Sequence, residues 1–178
     1  MEKIFYENEY VLWLEFDNNT NEFLNGKCEL LDQKEIPSGI RPPHLTLAFV
    51  RCDNEGGLKD IVMNYFERIA EFTLLFDSLG IFPGGIVYYK PRATLELIQL
   101  HTKLIRALND IGIISWDLYT SERWSPHVAL TGPLEGEKLN TAISIMMEQF
   151  TGIKTEHTIV KLRKCLTGEE IVSYQLGM

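Results

Sequence analysis

Two short stretches hold residues that could do chemistry. Pro43-His44-Leu45-Thr46-Leu47 and Pro126-His127-Val128-Ala129-Leu130 each set a proline and a histidine ahead of an alternating apolar run. An imidazole with a pKa near 6.5 is a base in one protonation state and an acid in the other. Two of them facing one cleft supply what phosphoester cleavage needs at neutral pH: one activates water or a hydroxyl, the other protonates the departing oxygen. Side chains alternate along a strand, so His44, Thr46 and Ala48 are expected on one face and Leu45, Leu47 and Phe49 on the other, against helices. The Thr46 hydroxyl can then donate to a phosphoryl oxygen as charge builds there. The second stretch has Ala129 at the matching position and no such donor. Thr131 shares its face, about 6.6 Å further along the strand. No third His, Asp or Glu ligand is nearby, so neither a metal nor a cofactor is expected.

Other residues near the motifs suit a nucleotide. Arg41 and Arg123, in the loops that lead into the two motifs, could supply positive charge. Trp124 and Tyr88 could stack on a base, a contact that contributes about 1–3 kcal/mol per base. The plainer reading of these four is surface charge and packing. His101, in a helical stretch, and His157, in a late strand, lack the motif and read as packing or surface residues.

The histidines need elements to hold them. Tyr10–Phe16 is aromatic and branched and reads as a strand. Asp17 to Thr20 carries a helix-start signal for a helix to about Gln33. A turn-rich loop, Ile36–Pro43, leads into the first histidine strand, His44–Val50. A helix with Leu58, Ile61, Tyr65 and Ile69 on one face follows, then strands over Phe72–Ile81 and Ile86–Lys90. Thr94 is the expected N-cap and Gly112 the stop of the next helix. Ile113–Tyr119 reads as a short strand, Thr120–Pro126 as a loop, and Pro126–Thr131 as the second histidine strand. A helix over Glu137–Phe150, a long strand over Lys154–Cys165 and a closing strand over Glu170–Leu176 complete the chain. The pattern is β-α-β-α-β twice, with the histidine at the start of the middle strand each time. It predicts an α+β fold, one domain over residues 1–178 with two lobes at about 10–82 and 86–176.

Composition bounds the partners. The chain has 178 residues, 45% hydrophobic and 24% charged, with a formal charge of -8. Its pI is near 5.0. No Lys/Arg stripe is visible, which argues against an extended nucleic-acid surface and leaves a small phosphoester or an RNA terminus. Three cysteines without metal-ligand spacing read as reduced thiols in a cytoplasmic protein. The N-terminus shows no secretory pattern, and no run reaches the roughly 18 apolar residues of a membrane span.

The chain resembles the 2H phosphoesterase superfamily, close to its 2'-5' RNA ligase-like and cyclic phosphodiesterase families. His44-Leu45-Thr46-Leu47 and His127-Val128-Ala129-Leu130 match the paired His-x-Thr/Ser-x motifs. Gly80-Ile81-Phe82-Pro83, Ile86-Val87-Tyr88-Tyr89, the helix with Leu100-His101, and Trp124-Ser125-Pro126-His127 agree as well. The resemblance implies a bilobal α+β fold with two antiparallel sheets lining a central groove. It also implies metal-independent cleavage of 2',3'-cyclic or 2'-5' phosphodiesters on nucleotides or RNA ends. Carried over by position, His44 and His127 are acid and base, and Thr46 is a phosphate ligand. Ala129 departs from the pattern, and Gly132-Pro133 occupies a region where some relatives carry a basic residue. Two other functions stay open: a nucleotide-binding module weakened in catalysis by Ala129, and a scaffold whose histidines are structural.

Overall fold

The computed structural model describes residues 5–156 and 158–177; His157 lies outside them. The chain begins with β1 (Glu9–Glu15), α1 (Asn18–Asp32), β2 (Leu45–Arg51), α2 (Glu55–Phe66), β3 (Leu74–Phe82), β4 (Ile86–Pro91) and α3 (Leu95–Asp110). A 3-10 turn (Asp117–Tyr119), β5 (Val128–Ala129), α4 (Gly136–Met147), β6 (Ile153–Thr155), β7 (Ile159–Lys164) and β8 (Glu170–Gln175) follow. Asp17, Asn54 and Thr94 cap α1, α2 and α3, each accepting a backbone N–H of the first turn. These caps satisfy donors that a helix start otherwise leaves open.

Two four-stranded antiparallel sheets form, in the orders β2-β1-β7-β8 and β5-β4-β3-β6. The α+β class with two antiparallel sheets is as expected, but the sheets do not follow the lobes at 10–82 and 86–176. β3 and β4 are neighbours joined by the short Pro83-Gly84-Gly85 turn, so 82/86 is a hairpin and not a boundary. The long strand expected over Lys154–Cys165 is two strands in different sheets: β6 pairs with β3, and β7 pairs with β1. The first sheet therefore joins both ends of the chain, and the second is built from its middle. The strand expected at Ile113–Tyr119 reduces to one bridge, Ser115 to Val50, followed by the 3-10 turn.

Alternation along β1 sets the layers. Tyr10, Leu12 and Leu14 enter the main core, while Val11 and Trp13 face away from it with Phe49. α2 packs on β7 and β8, and α1 and α4 cover the second sheet. The α1–α4 contact is locked by Lys27, a buried lysine whose Nζ donates to the Ile145 and Glu148 carbonyls at the end of α4, at 2.8 and 2.5 Å. Burial lowers its pKa. No helix among the described residues is long and apolar enough to cross a membrane.

Candidate active site

Both histidines are held in the same way. His44 Nδ1 lies 2.7 Å from the Pro42 carbonyl, and His127 Nδ1 lies 2.7 Å from the Ser125 carbonyl. A carbonyl can only accept, so Nδ1 carries the proton in each ring and Nε2 is left as the basic nitrogen. The carbonyl comes from the residue two positions earlier in both cases. A short loop thus fixes tautomer and orientation together.

Each ring then leans on its own sheet. His44 stacks on Trp13 with centroids 4.0 Å apart. His127 meets Phe82 and Tyr88 edge-on at 4.7 and 5.5 Å. Burial pushes His44 down to about 4, partly opposed by the Pro42 carbonyl and reinforced by the positive charges of His127 and Arg163. Burial also lowers His127, against the opposing Ser125 carbonyl. The two imidazoles are thus electrostatic neighbours, and the charge on His127 disfavours protonation of His44.

The first histidine strand carries a defect that the sequence does not reveal. Pairing with β1 runs from Arg51 opposite Glu9 to Ala48 opposite Leu12, then slips so that Thr46 faces Trp13. Leu47 is the extra residue of a β-bulge. The slip reverses the expected faces beyond it: Ala48 joins the core with Leu45 and Leu47, and Phe49 turns to the cleft side beside Val11 and Trp13. Thr46 keeps the cleft face next to Trp13. It is 7% exposed, and its side chain hydrogen-bonds with the Tyr119 phenol.

Two rings satisfy the carbonyls at the bulge. His101 Nε2 lies 3.0 Å from the Leu47 carbonyl, and Trp124 Nε1 donates to the Thr46 carbonyl at 2.9 Å. The rings stack on each other at 3.8 Å, within 5° of parallel. Further along this edge strand, the Phe49 carbonyl accepts from Trp116 N and Ser115 Oγ. The loop leading to His127 therefore docks on the strand of His44. The reverse also holds. Gly39 N donates to Leu130 O, and Gly132 N donates to Pro37 O, so the loop leading to His44 docks on the strand of His127. Gly39 comes so close that a Cβ there would meet the Ala129 carbonyl oxygen at 2.8 Å.

The remaining sequence candidates divide. Arg41 lies beside His44 in a cavity of about 220 Å³ and pairs with Asp32 at 2.6 Å. Arg123 pairs with Asp117. It lines a cavity of about 420 Å³ together with His127, Phe82, Ile86, Leu118, Tyr119 and Trp124. Trp124 thus reaches that cavity, although the His101 stack covers one of its faces. Tyr88 is 8% exposed, stacked on Phe82 at 4.2 Å and lying over Gly80, where a Cβ would fall 2.2 Å from its ring. It forms the wall behind His127 and offers no free face to a base. Thr131 is 2% exposed, and its hydroxyl accepts from Val87 N at 2.9 Å. The hydroxyl therefore belongs to the interior of the sheet, and Thr131, expected on the face of His127 as a substrate-binding residue, does not offer it to the cleft. Ala129 pairs with Tyr88 in the strand register, and its side chain is half-buried.

Sequence reasoning missed Tyr119 and Arg163. Tyr119 joins the half-sites, bonded to Thr46 and lining the His127 cavity. Its only signal was the pair of aromatics, Trp116 and Tyr119, ahead of the second motif. Arg163 lines the His44 cavity from β7.

Comparison with known proteins gives the family. A sequence model of the 2'-5' RNA ligase superfamily matches residues 33–148, which include both histidine stretches. The chain belongs to this superfamily, within the 2H phosphoesterases. No curated protein matches it in sequence. Solved structures share the fold. A phosphoesterase aligns with a TM-score of 0.61 at 14% identity, covering 96% of this chain and 99% of its own. Escherichia coli LigT complexed with NADP+ aligns at 0.60 and 15%, covering 97% and 99%. Usb1 of Kluyveromyces marxianus aligns at 0.53 and 9%, covering 97% and 99%.

Proposed function

We propose that this member of the superfamily is a metal-independent phosphodiesterase acting on 2',3'-cyclic or 2'-5' phosphodiesters of nucleotides or RNA ends. One observation carries the reading: both imidazoles are locked by the same Nδ1-to-carbonyl bond, which leaves Nε2 as the basic nitrogen on each of two rings whose charges interact. Membership of the superfamily supports the reaction class. Escherichia coli LigT has been solved with 3'-AMP, which supports a small nucleotide as ligand.

The inequality of the pair supports one assignment of the roles. Protonation is harder at His44, so His44 is the general base and His127 the general acid. His44 Nε2 takes a proton from water as its oxygen attacks phosphorus. The bond from phosphorus to the leaving ribose oxygen breaks, and His127 Nε2–H protonates that oxygen. For a 2',3'-cyclic nucleotide the product is a nucleoside monophosphate. Thr46 donates to a phosphoryl oxygen as negative charge develops.

A second reading rests on Ala129, which leaves the His127 half-site without its hydroxyl: the cleft binds a nucleotide and turns it over poorly. Loss of one such donor costs about 10²–10³ in rate in other enzymes. One experiment separates the two. A panel of 2',3'-cyclic nucleotides and 2'-5' dinucleotides is incubated with wild type, His44→Ala, His127→Ala and Ala129→Thr in EDTA. The enzyme reading expects turnover by wild type and none by either alanine variant. Binding without turnover in wild type, with activity gained in Ala129→Thr, establishes the second reading. Turnover that survives both histidine substitutions refutes the histidine mechanism.

A further inference from the structure

We propose that Arg163 forms an anion subsite beside His44 that receives a second, non-reacting phosphate of the substrate, selecting nucleotides that carry a terminal phosphomonoester in addition to the phosphodiester. This rests on the catalytic reading above and specifies its substrate class.

The chain has a formal charge of -8, and most arginines with a neighbouring carboxylate use it: Arg41 with Asp32, Arg51 with Glu9, Arg92 with Asp77 and Arg123 with Asp117. Arg163 forms no ion pair among the described residues. Its Nε donates to the Gly168 carbonyl at 2.9 Å, which ties the guanidinium to the turn between β7 and β8. Its Cζ lies 5.4 Å from the centre of the Trp13 ring. The same indole carries His44 at 4.0 Å. Arg163 and His44 are thus neighbours across one side chain, and they line the same cavity of about 220 Å³ with Val11, Phe49 and Cys165. His127 is absent from that lining, so the cation sits to the His44 side of the reacting centre rather than between the histidines.

A guanidinium held at Nε beside an aromatic ring, with no hydrogen bond from its terminal nitrogens among the described residues, suits bidentate recognition of phosphate. Its charge also disfavours protonation of His44, which keeps the base free, and a phosphate bound there would relieve that effect.

The test measures binding by calorimetry, so it can be read without turnover. The probes are adenosine 3'-monophosphate and adenosine 3',5'-bisphosphate, with wild type, Arg163→Gln and Arg163→Lys, after melting curves show each variant folded. Wild type is expected to bind the bisphosphate about tenfold or more tightly than the monophosphate, the scale of one or two charge-assisted hydrogen bonds. Arg163→Gln should bring the ratio near one, and Arg163→Lys should keep part of it. Equal affinities in wild type, or a ratio that survives in Arg163→Gln, overturn the subsite. If the bisphosphate keeps its Arg163-dependent advantage while the substrate panel shows no turnover, the catalytic reading fails and the subsite stands. Binding of neither nucleotide overturns both.

Discussion

Burial pushes His44 down to about 4 and lowers His127 as well, so neither imidazole favours its proton at neutral pH. The acid–base pair is complete only while His44 is neutral and His127 charged. That state rises as pH climbs past the His44 value and falls as pH climbs past the His127 value. kcat/KM, which reports the free enzyme, is therefore expected to be bell-shaped, with its maximum below pH 6.5 and a decline toward pH 8. Rates across pH 4–8 check this, and a profile that stays level up to pH 8 contradicts the assigned roles. The pairing of the histidines was legible in the sequence because a motif survives at the scale of five residues. The inequality between them was not, since it comes from Trp13, Arg163 and burial, contributed by strands far along the chain.

The bulge at Leu47 is the decisive element. It lets Thr46 and Phe49 share the cleft face, and it turns outward two carbonyls that accept from the His101 and Trp124 rings. Replacing either ring by phenylalanine keeps a planar group and removes the hydrogen bond to its bulge carbonyl. Each carbonyl left unpaired costs about 1–3 kcal/mol, or roughly 2–4 °C of Tm per kcal/mol in a chain of this size. His101→Phe and Trp124→Phe are expected to fall in this range. Because the rings stack, the double variant should lose less than the sum of the two by about 0.5 kcal/mol or more. Melting the four proteins tests it, and strict additivity would remove the cooperative unit. No sequence pattern marks this bulge, because Ala48 and Phe49 are both apolar and an extra residue in Leu45–Val50 leaves the hydrophobic run unbroken. His101 was read as a packing residue and is one, 1% exposed. What it packs against could be seen only in the fold.

Across the whole molecule, burial depresses both His44 and His101 to about 4. In the unfolded chain each binds its proton near 6.5. Between these values the unfolded state holds more protons, so stability is fullest above about pH 6.5 and is lost progressively as pH falls toward 4. Urea melts at pH 7.5, 6.0 and 5.0 are expected to show midpoints falling in that order, with a smaller fall in His44→Gln. The acid side, where the proposed acid–base pair is complete, is thus the side where the fold weakens. Helices and strands were largely legible from periodicity and caps. The lobes were not, because alternation marks Lys154–Cys165 as extended without saying that its two ends belong to different sheets.

The crossed docking of the two approach loops has a consequence for a chain that emerges gradually from the ribosome. When β2 first leaves the tunnel, the outer edge of the strand holding His44 is bare, since His101, Ser115, Trp116 and Trp124 are still to be made. An unpaired edge beside Trp13 and Phe49 invites pairing with other chains. The nascent first half is therefore an aggregation-prone stage of this protein: the residues that bring His127 to the cleft end it at the β2 edge, and β7 ends it at the β1 edge.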